Sequence, residues 1–151
     1  MEKELYYTPK ITDIRIGYEC EVNWSRGYSE EFIPLNTRLK DEEGVYCPDL
    51  DDIVIAHDDG YAEFRTLYLT KEQIESEGWV YSKDSNSFIY DIKNTDSISF
   101  TLIITGDGNR FGFKTIVITK NSSWNSYPVY HGICPSINEF RYITKELLNI
   151  N

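Results

Sequence analysis

Three stretches bring together residues able to do chemistry. Asp49, Asp51, Asp52, His57, Asp58 and Asp59 crowd into one short segment, and carboxylates with an imidazole are ligands for hard and borderline cations. A calcium loop needs acidic ligands at alternate positions, a central Gly and a terminal Glu. That order is absent here. Ile53 to Ala56 reads as a strand that holds the two acidic groups about 13 Å apart at ~3.3 Å per residue. The segment is expected to be a solvated acidic face and to bind no metal.

His131-Gly132-Ile133-Cys134 sets an imidazole near a thiol, as a cysteine nucleophile or half a zinc site requires. A structural zinc site shows two close ligand pairs, whereas Cys20 and Cys47 stand apart from each other and from Cys134. The expectation is a partly buried loop Cys before a closing helix. Gly106-Asp107-Gly108-Asn109-Arg110 has the glycines of a phosphate loop, but it joins two strands where such loops join a strand to a helix. It is expected to be a hairpin turn. Gly-x-Ser-x-Gly, Walker and His-Glu-x-x-His patterns are missing from the sequence. The chain therefore reads as a non-enzyme with no catalytic residues and no cofactor.

Aromatic residues offer a different kind of site. Trp124, Tyr127 and Tyr130 fall in a stretch, Asn121 to His131, that reads as irregular, with Pro128 restricting its backbone. Exposed Trp and Tyr serve protein interfaces as anchors. These three are the candidate partner-binding residues, with Asp51, Asp52, Asp58 and Asp59 expected to steer a partner electrostatically.

Those side chains must be held by elements that the sequence also suggests. Ile14, Ile16, Tyr18, Cys20, Val22 and Trp24 alternate with Arg15, Gly17, Glu19, Glu21 and Asn23, which predicts a long strand with one buried face. Glu31 to Leu35 reads as an edge strand because Pro34 cannot donate to a ladder, and residues 36 to 50 as an acidic loop. Ile53 to Ala56 and Tyr61 to Leu69 flank His57-Asp58-Asp59-Gly60, in which Asp-Gly is a hairpin signal. Thr70 and Gln73 fit a capping box, with Leu69 and Ile74 as its staple and Gly78 as the stop, predicting a helix over Lys71 to Glu77.

Trp79 to Tyr81, Phe88 to Ile92, Ser97 to Thr105 and Phe111 to Thr119 read as four more strands. The last two are apolar on both faces, which predicts central strands covered on both sides. Ser136 and Glu139 suggest a second capping box opening an amphipathic helix with Ile137, Phe140, Ile143 and Leu147 on its apolar stripe. The fold class read from this pattern is α+β: an N-terminal antiparallel β subdomain (residues 11–69, an SH3-like barrel as one form), then an α-β-β-β-β-α unit with an antiparallel sheet (70–151). Together they are expected to make one compact domain spanning 1–151.

Composition limits what the chain can meet. Its 151 residues are 40% hydrophobic and 15% aromatic, enough to bury a core without disulfides or metals. The formal net charge is −10, which opposes direct binding to nucleic-acid phosphates or anionic lipid. Much of the imbalance lies between residues 41 and 63, where Asp41, Glu42, Glu43, Asp49, Asp51, Asp52, Asp58, Asp59 and Glu63 meet no Lys or Arg. A partner with a basic or neutral surface fits that charge. No apolar run reaches the roughly 20 residues of a membrane span, and Met1 to Tyr7 lacks a secretory layout. A cytoplasmic location and free thiols are expected.

Ile14-Arg15-Ile16-Gly17-Tyr18, Tyr68-Leu69-Thr70-Lys71-Glu72 with Glu77-Gly78-Trp79, and Ile137-Asn138-Glu139-Phe140-Arg141-Tyr142 follow one another in an order that resembles a family of small α+β proteins of Bacteroidetes and their tailed phages. That family opens with a Leu-Arg-Ile-Gly-Asn strand and continues with Pro-Leu-Thr-Glu-Glu and Phe-Gly-Phe. This chain departs from it at the first and last positions of the opening motif. The resemblance implies a phage or mobile-element setting and brings no catalytic residue with it. The function expected is a protein-interaction module that modulates a host system or forms a minor virion component, with homo-oligomers allowed. Two other readings stay open: an acidic nucleic-acid mimic blocking a DNA-binding enzyme, and a small-molecule binder or cryptic enzyme with its pocket between the subdomains.

Overall fold

A computed structural model describes residues 6–14, 18–24, 32–35, 39–40, 45–46, 55, 58–60, 62–92, 97–105 and 114–150. The chain is α+β and divides into two compact units, Met1–Leu67 and Tyr68–Asn151.

The first unit is β-rich. Strands β1 (Tyr6–Tyr7), β2 (Glu21–Trp24), β3 (Ile33–Pro34) and β6 (Ala62–Leu67) form an antiparallel sheet in the order β1-β6-β2-β3. The alternation predicted for Ile14 to Trp24 is present as burial: Ile14, Tyr18, Cys20 and Val22 are buried and pack with Ala62 and Phe64. Among the described residues the hydrogen-bonded strand is shorter than predicted, with Glu21–Trp24 entering the ladder; Arg15, Ile16 and Gly17 lie outside the described residues. A period of two selects the inner face, but pairing requires a neighbour, and on the β2 side β6 pairs with these four residues through Arg65 to Ala62. Pro34 stands on the edge strand β3, where its missing N–H costs no ladder bond.

Two other expectations for this unit are corrected. Within the stretch read as an acidic loop, β4 (Leu39–Lys40) and β5 (Val45–Tyr46) pair as a short antiparallel ribbon. The Ile53 hairpin is replaced at Ile55 and Asp58 by helical backbone, in which the Asp59 amide donates to the Ile55 carbonyl at 3.0 Å. Gly60 has φ +72°, and a glycine in that region ends a helical turn as readily as it makes a hairpin. The Asp-Gly signal was therefore ambiguous between the two. On β6, Arg65 lies against the rings of Tyr6 and Phe32, 4.1 Å from each centroid, with its Nε 2.5 Å from Glu21 on β2.

In the second unit helix α1 (Lys71–Ser76) begins where the capping box predicts. The Gln73 amide donates to Thr70 Oγ1 at 3.2 Å and the Thr70 amide to Gln73 Oε1 at 3.0 Å. Gly78 follows the helix with φ +91°. Five antiparallel strands then build one sheet in the order β11-β10-β9-β8-β7: β7 (Val80–Ser82), β8 (Ser87–Asp91), β9 (Ile98–Ile104), β10 (Lys114–Ser122) and β11 (Ser126–Cys134). Asn86, φ 49°, makes the β7–β8 turn.

Among the described residues, the sheet packs by one face, not two. Phe88, Phe100, Leu102, Ile116 and Ile118 are buried with Trp79, Ile74 and the C-terminal helix, each such side chain stabilising the fold by about 1.5–3 kcal/mol. The opposite face leaves Val80 69% exposed, together with Ile103 and Ile133. β-branched residues there satisfy strand propensity without being buried, so their character alone could not reveal a covering layer.

Helix α2 (Ile137–Arg141) is capped by Ser136, which accepts the Asn138 amide and whose hydroxyl donates to Glu139. The predicted reciprocal box is therefore replaced by a side-chain pair. The chain then widens into a π-helical segment, Tyr142–Leu147. Ile137, Phe140 and Ile143 are buried as predicted, but the wider turn carries Thr144 inward and leaves Leu147 exposed.

Candidate functional site

The stretch read as irregular, Asn121 to His131, is the tip and return strand of the β10–β11 hairpin. Lys114 pairs with Cys134, Ile118 with Tyr130 and Lys120 with Tyr127, and the register shifts between Ile118 and Thr119. Pro128 had argued against a strand, yet β11 is an edge. The Ser122 amide donates to the Asn125 carbonyl, which makes 122/125 and 120/127 the hydrogen-bonded pairs and 119/128 a non-bonded one. The ring nitrogen of Pro128 thus points to the open side, where no ladder bond is lost.

The hairpin tip is tightly pinned. Ser122 Oγ donates to Asn125 and receives the Asn125 amide at 3.3 Å, while the backbone closes the turn at 2.9 Å. Lower in the hairpin, Asn121 Nδ2 donates to Thr101 Oγ1 at 2.7 Å, fixing β10 to β9. On this rigid turn Trp124 is 94% exposed and Tyr127, just beyond it, 46%.

Tyr130 behaves differently from its two neighbours. Its ring is half-buried against the core, and its hydroxyl donates to the Ile133 carbonyl at 3.2 Å. Burial first, and Cys134 second, raise the hydroxyl above the usual tyrosine range, so it remains a donor. Trp124 and Tyr127 form the exposed pair, and Tyr130 has turned inward along its own strand.

The other sequence candidates fall into place separately. Asp58 and Asp59 are exposed beside Gly60 in the first unit, while Trp124, Tyr127 and Tyr130 belong to the second. Asp51 and Asp52 lie outside the described residues, as do Asp49, His57, Cys47 and the Gly106 to Arg110 turn. His131 and Cys134 are three apart on one strand, hence on opposite faces: His131 is exposed, and Cys134 is buried with its thiol directed at the Ser136 carbonyl. Burial and, next, Glu139 push the Cys134 thiol far up, the reverse of an activated nucleophile. Among the described residues no group of three His, Cys, Asp or Glu is placed to hold a metal ion, and no helix is long and apolar enough to cross a membrane.

Sequence reasoning missed the Tyr130 contact. A signal for it was present, because Gly132 on an edge strand leaves the space over which the tyrosine ring two residues earlier can lie. No protein-family model, curated protein or solved structure matches the chain.

Proposed function

We propose that this chain is a non-enzymatic protein-interaction module that docks through the tip of the β10–β11 hairpin, with Trp124 as the main anchor and Tyr127 beside it. The observation that carries the reading is the 94% exposure of Trp124 on a turn already fixed by Ser122 and Asn125. A large ring left in water is a standing cost that a partner's pocket relieves, and a pinned turn loses little entropy on docking. Tyr130, being turned inward, is set aside as an anchor.

The partner is a protein with a basic or neutral surface. Asp58 and Asp59, exposed in a chain of net charge −10, contribute to steering it, as do Asp51 and Asp52. The phage setting implied by the sequence resemblance fits a module that modulates a host system or joins a virion as a minor component. The test is capture from host lysate by the purified chain and by Trp124→Ala. Loss of a stoichiometric protein from the Trp124→Ala eluate is expected, and equal retention refutes the anchor.

A further inference from the structure

The open edge of β11 is guarded unevenly. Thr105 donates its amide to the Thr115 carbonyl, so the backbone groups of Thr115 face β9, and those of Lys114, Ile116 and Ile118 face β11 in bonded pairs with Cys134, Gly132 and Tyr130. It follows that His131 and Ile133 turn their N–H and C=O away from the sheet. In the first half of the strand, Pro128 and the register shift at Ile118/Thr119 block further pairing. Neither device reaches residues 130 to 134.

Tyr130 covers that second half. Its ring crosses the space above Gly132, where an added Cβ would come within 2.8 Å of its hydroxyl, and its hydroxyl donates to the outward Ile133 carbonyl. That carbonyl is the acceptor an added strand would need. The strand Ser126–Cys134 carries no Asp, Glu, Lys or Arg, so two copies of a chain with net charge −10 meet there without like-charge repulsion along the strand. Antiparallel pairing centred on Gly132 places His131 against Ile133 of a second copy and Ile133 against its His131, which is the self-complementary arrangement of a two-fold axis.

We infer that Tyr130 is an edge latch: by folding over Gly132 onto the Ile133 carbonyl it holds β11 closed to the β11 of a second copy, and its release opens the chain to two-fold strand pairing. This inference is independent of the role of Trp124, which projects from the hairpin tip.

Sedimentation equilibrium of the full chain tests it. Tyr130→Phe keeps the ring and removes the donor, and self-association is expected to strengthen on the order of tenfold or more, since two latches are lost per dimer. Gly132→Ala, which drives the hydroxyl away by contact, should act in the same direction. Adding His131→Pro to Tyr130→Phe removes the outward N–H without touching the β10 ladder and should restore the wild-type association state. Tyr130→Phe and Gly132→Ala both associating no more than wild type would overturn the latch. A Tyr130→Phe dimer that survives His131→Pro would overturn the pairing register.

Discussion

Arg141 Nε lies 2.6 Å from Glu77 Oε1, joining the residue that ends α1 to the last residue of α2. Lys145 Nζ takes the other carboxylate oxygen at 2.6 Å, and the Glu77 side chain is only 11% exposed. Partial burial acts to raise the Glu77 pKa, but the bonds from Lys145 and Arg141 outweigh it and hold the carboxyl below its ordinary value of 4.5.

A depressed pKa in the folded state means stability that is present above the unfolded pKa and lost as pH falls through the folded one. Glu77→Gln should therefore cost about 2 kcal/mol at neutral pH, and the gap to wild type should close as pH drops from about 4.5 downward. Urea unfolding of both proteins across that range measures it. A gap that is flat with pH would show that the pair contributes nothing through its charge.

The capping box at α1 is local and separable. Thr70→Ala removes the acceptor for the Gln73 amide and should cost about 1 kcal/mol in urea midpoint analysis. Thr70→Ser, which keeps the hydroxyl, should cost far less. Equal losses would mean that the methyl group matters more than the cap.

Gly78 carries φ +91° with Tyr90 3.4 Å from the position of an added Cβ. Gly78→Ala should destabilise the second unit by roughly 1–2 kcal/mol from backbone strain. The change is measured as a lowered unfolding midpoint with native far-ultraviolet circular dichroism retained.

Cys20 and Cys134 should be inert in the folded protein. Burial, with Glu21 next, pushes the Cys20 thiol up to about 11, and Cys134 lies higher still. Because the thiolate is the nucleophile, iodoacetamide at pH 8 is expected to leave both unlabelled until denaturant is added, as peptide mass mapping would show. Native-state labelling of Cys134 would contradict its placement in the core.

What the sequence disclosed follows from the range of each interaction. The Thr70–Gln73 cap and the Gly78 stop depend on neighbours within a few residues, and both appear where the chain signals them. The alternation from Ile14 marked the buried face correctly, but strand length depended on β6, some forty residues away, and shrank to Glu21–Trp24. Strand β11 was hidden by Pro128 because an edge position tolerates what a central one does not. Leu147 was misplaced because widening of the last helix is a tertiary adjustment with no local marker. At the candidate site, residue type singled out Trp124, Tyr127 and Tyr130 but could not separate two exposed rings from one folded back on its strand, since that difference rests on Gly132 and an outward carbonyl.

Docking through Trp124 is decided by capture from host lysate at low and moderate salt, wild type against Trp124→Ala with matched unfolding midpoints. One stoichiometric protein should be retained by wild type at both salt levels and bound more weakly by about 2 kcal/mol, on the order of thirtyfold, in the variant. Undiminished capture by Trp124→Ala, or a retained small molecule with no protein, would contradict it.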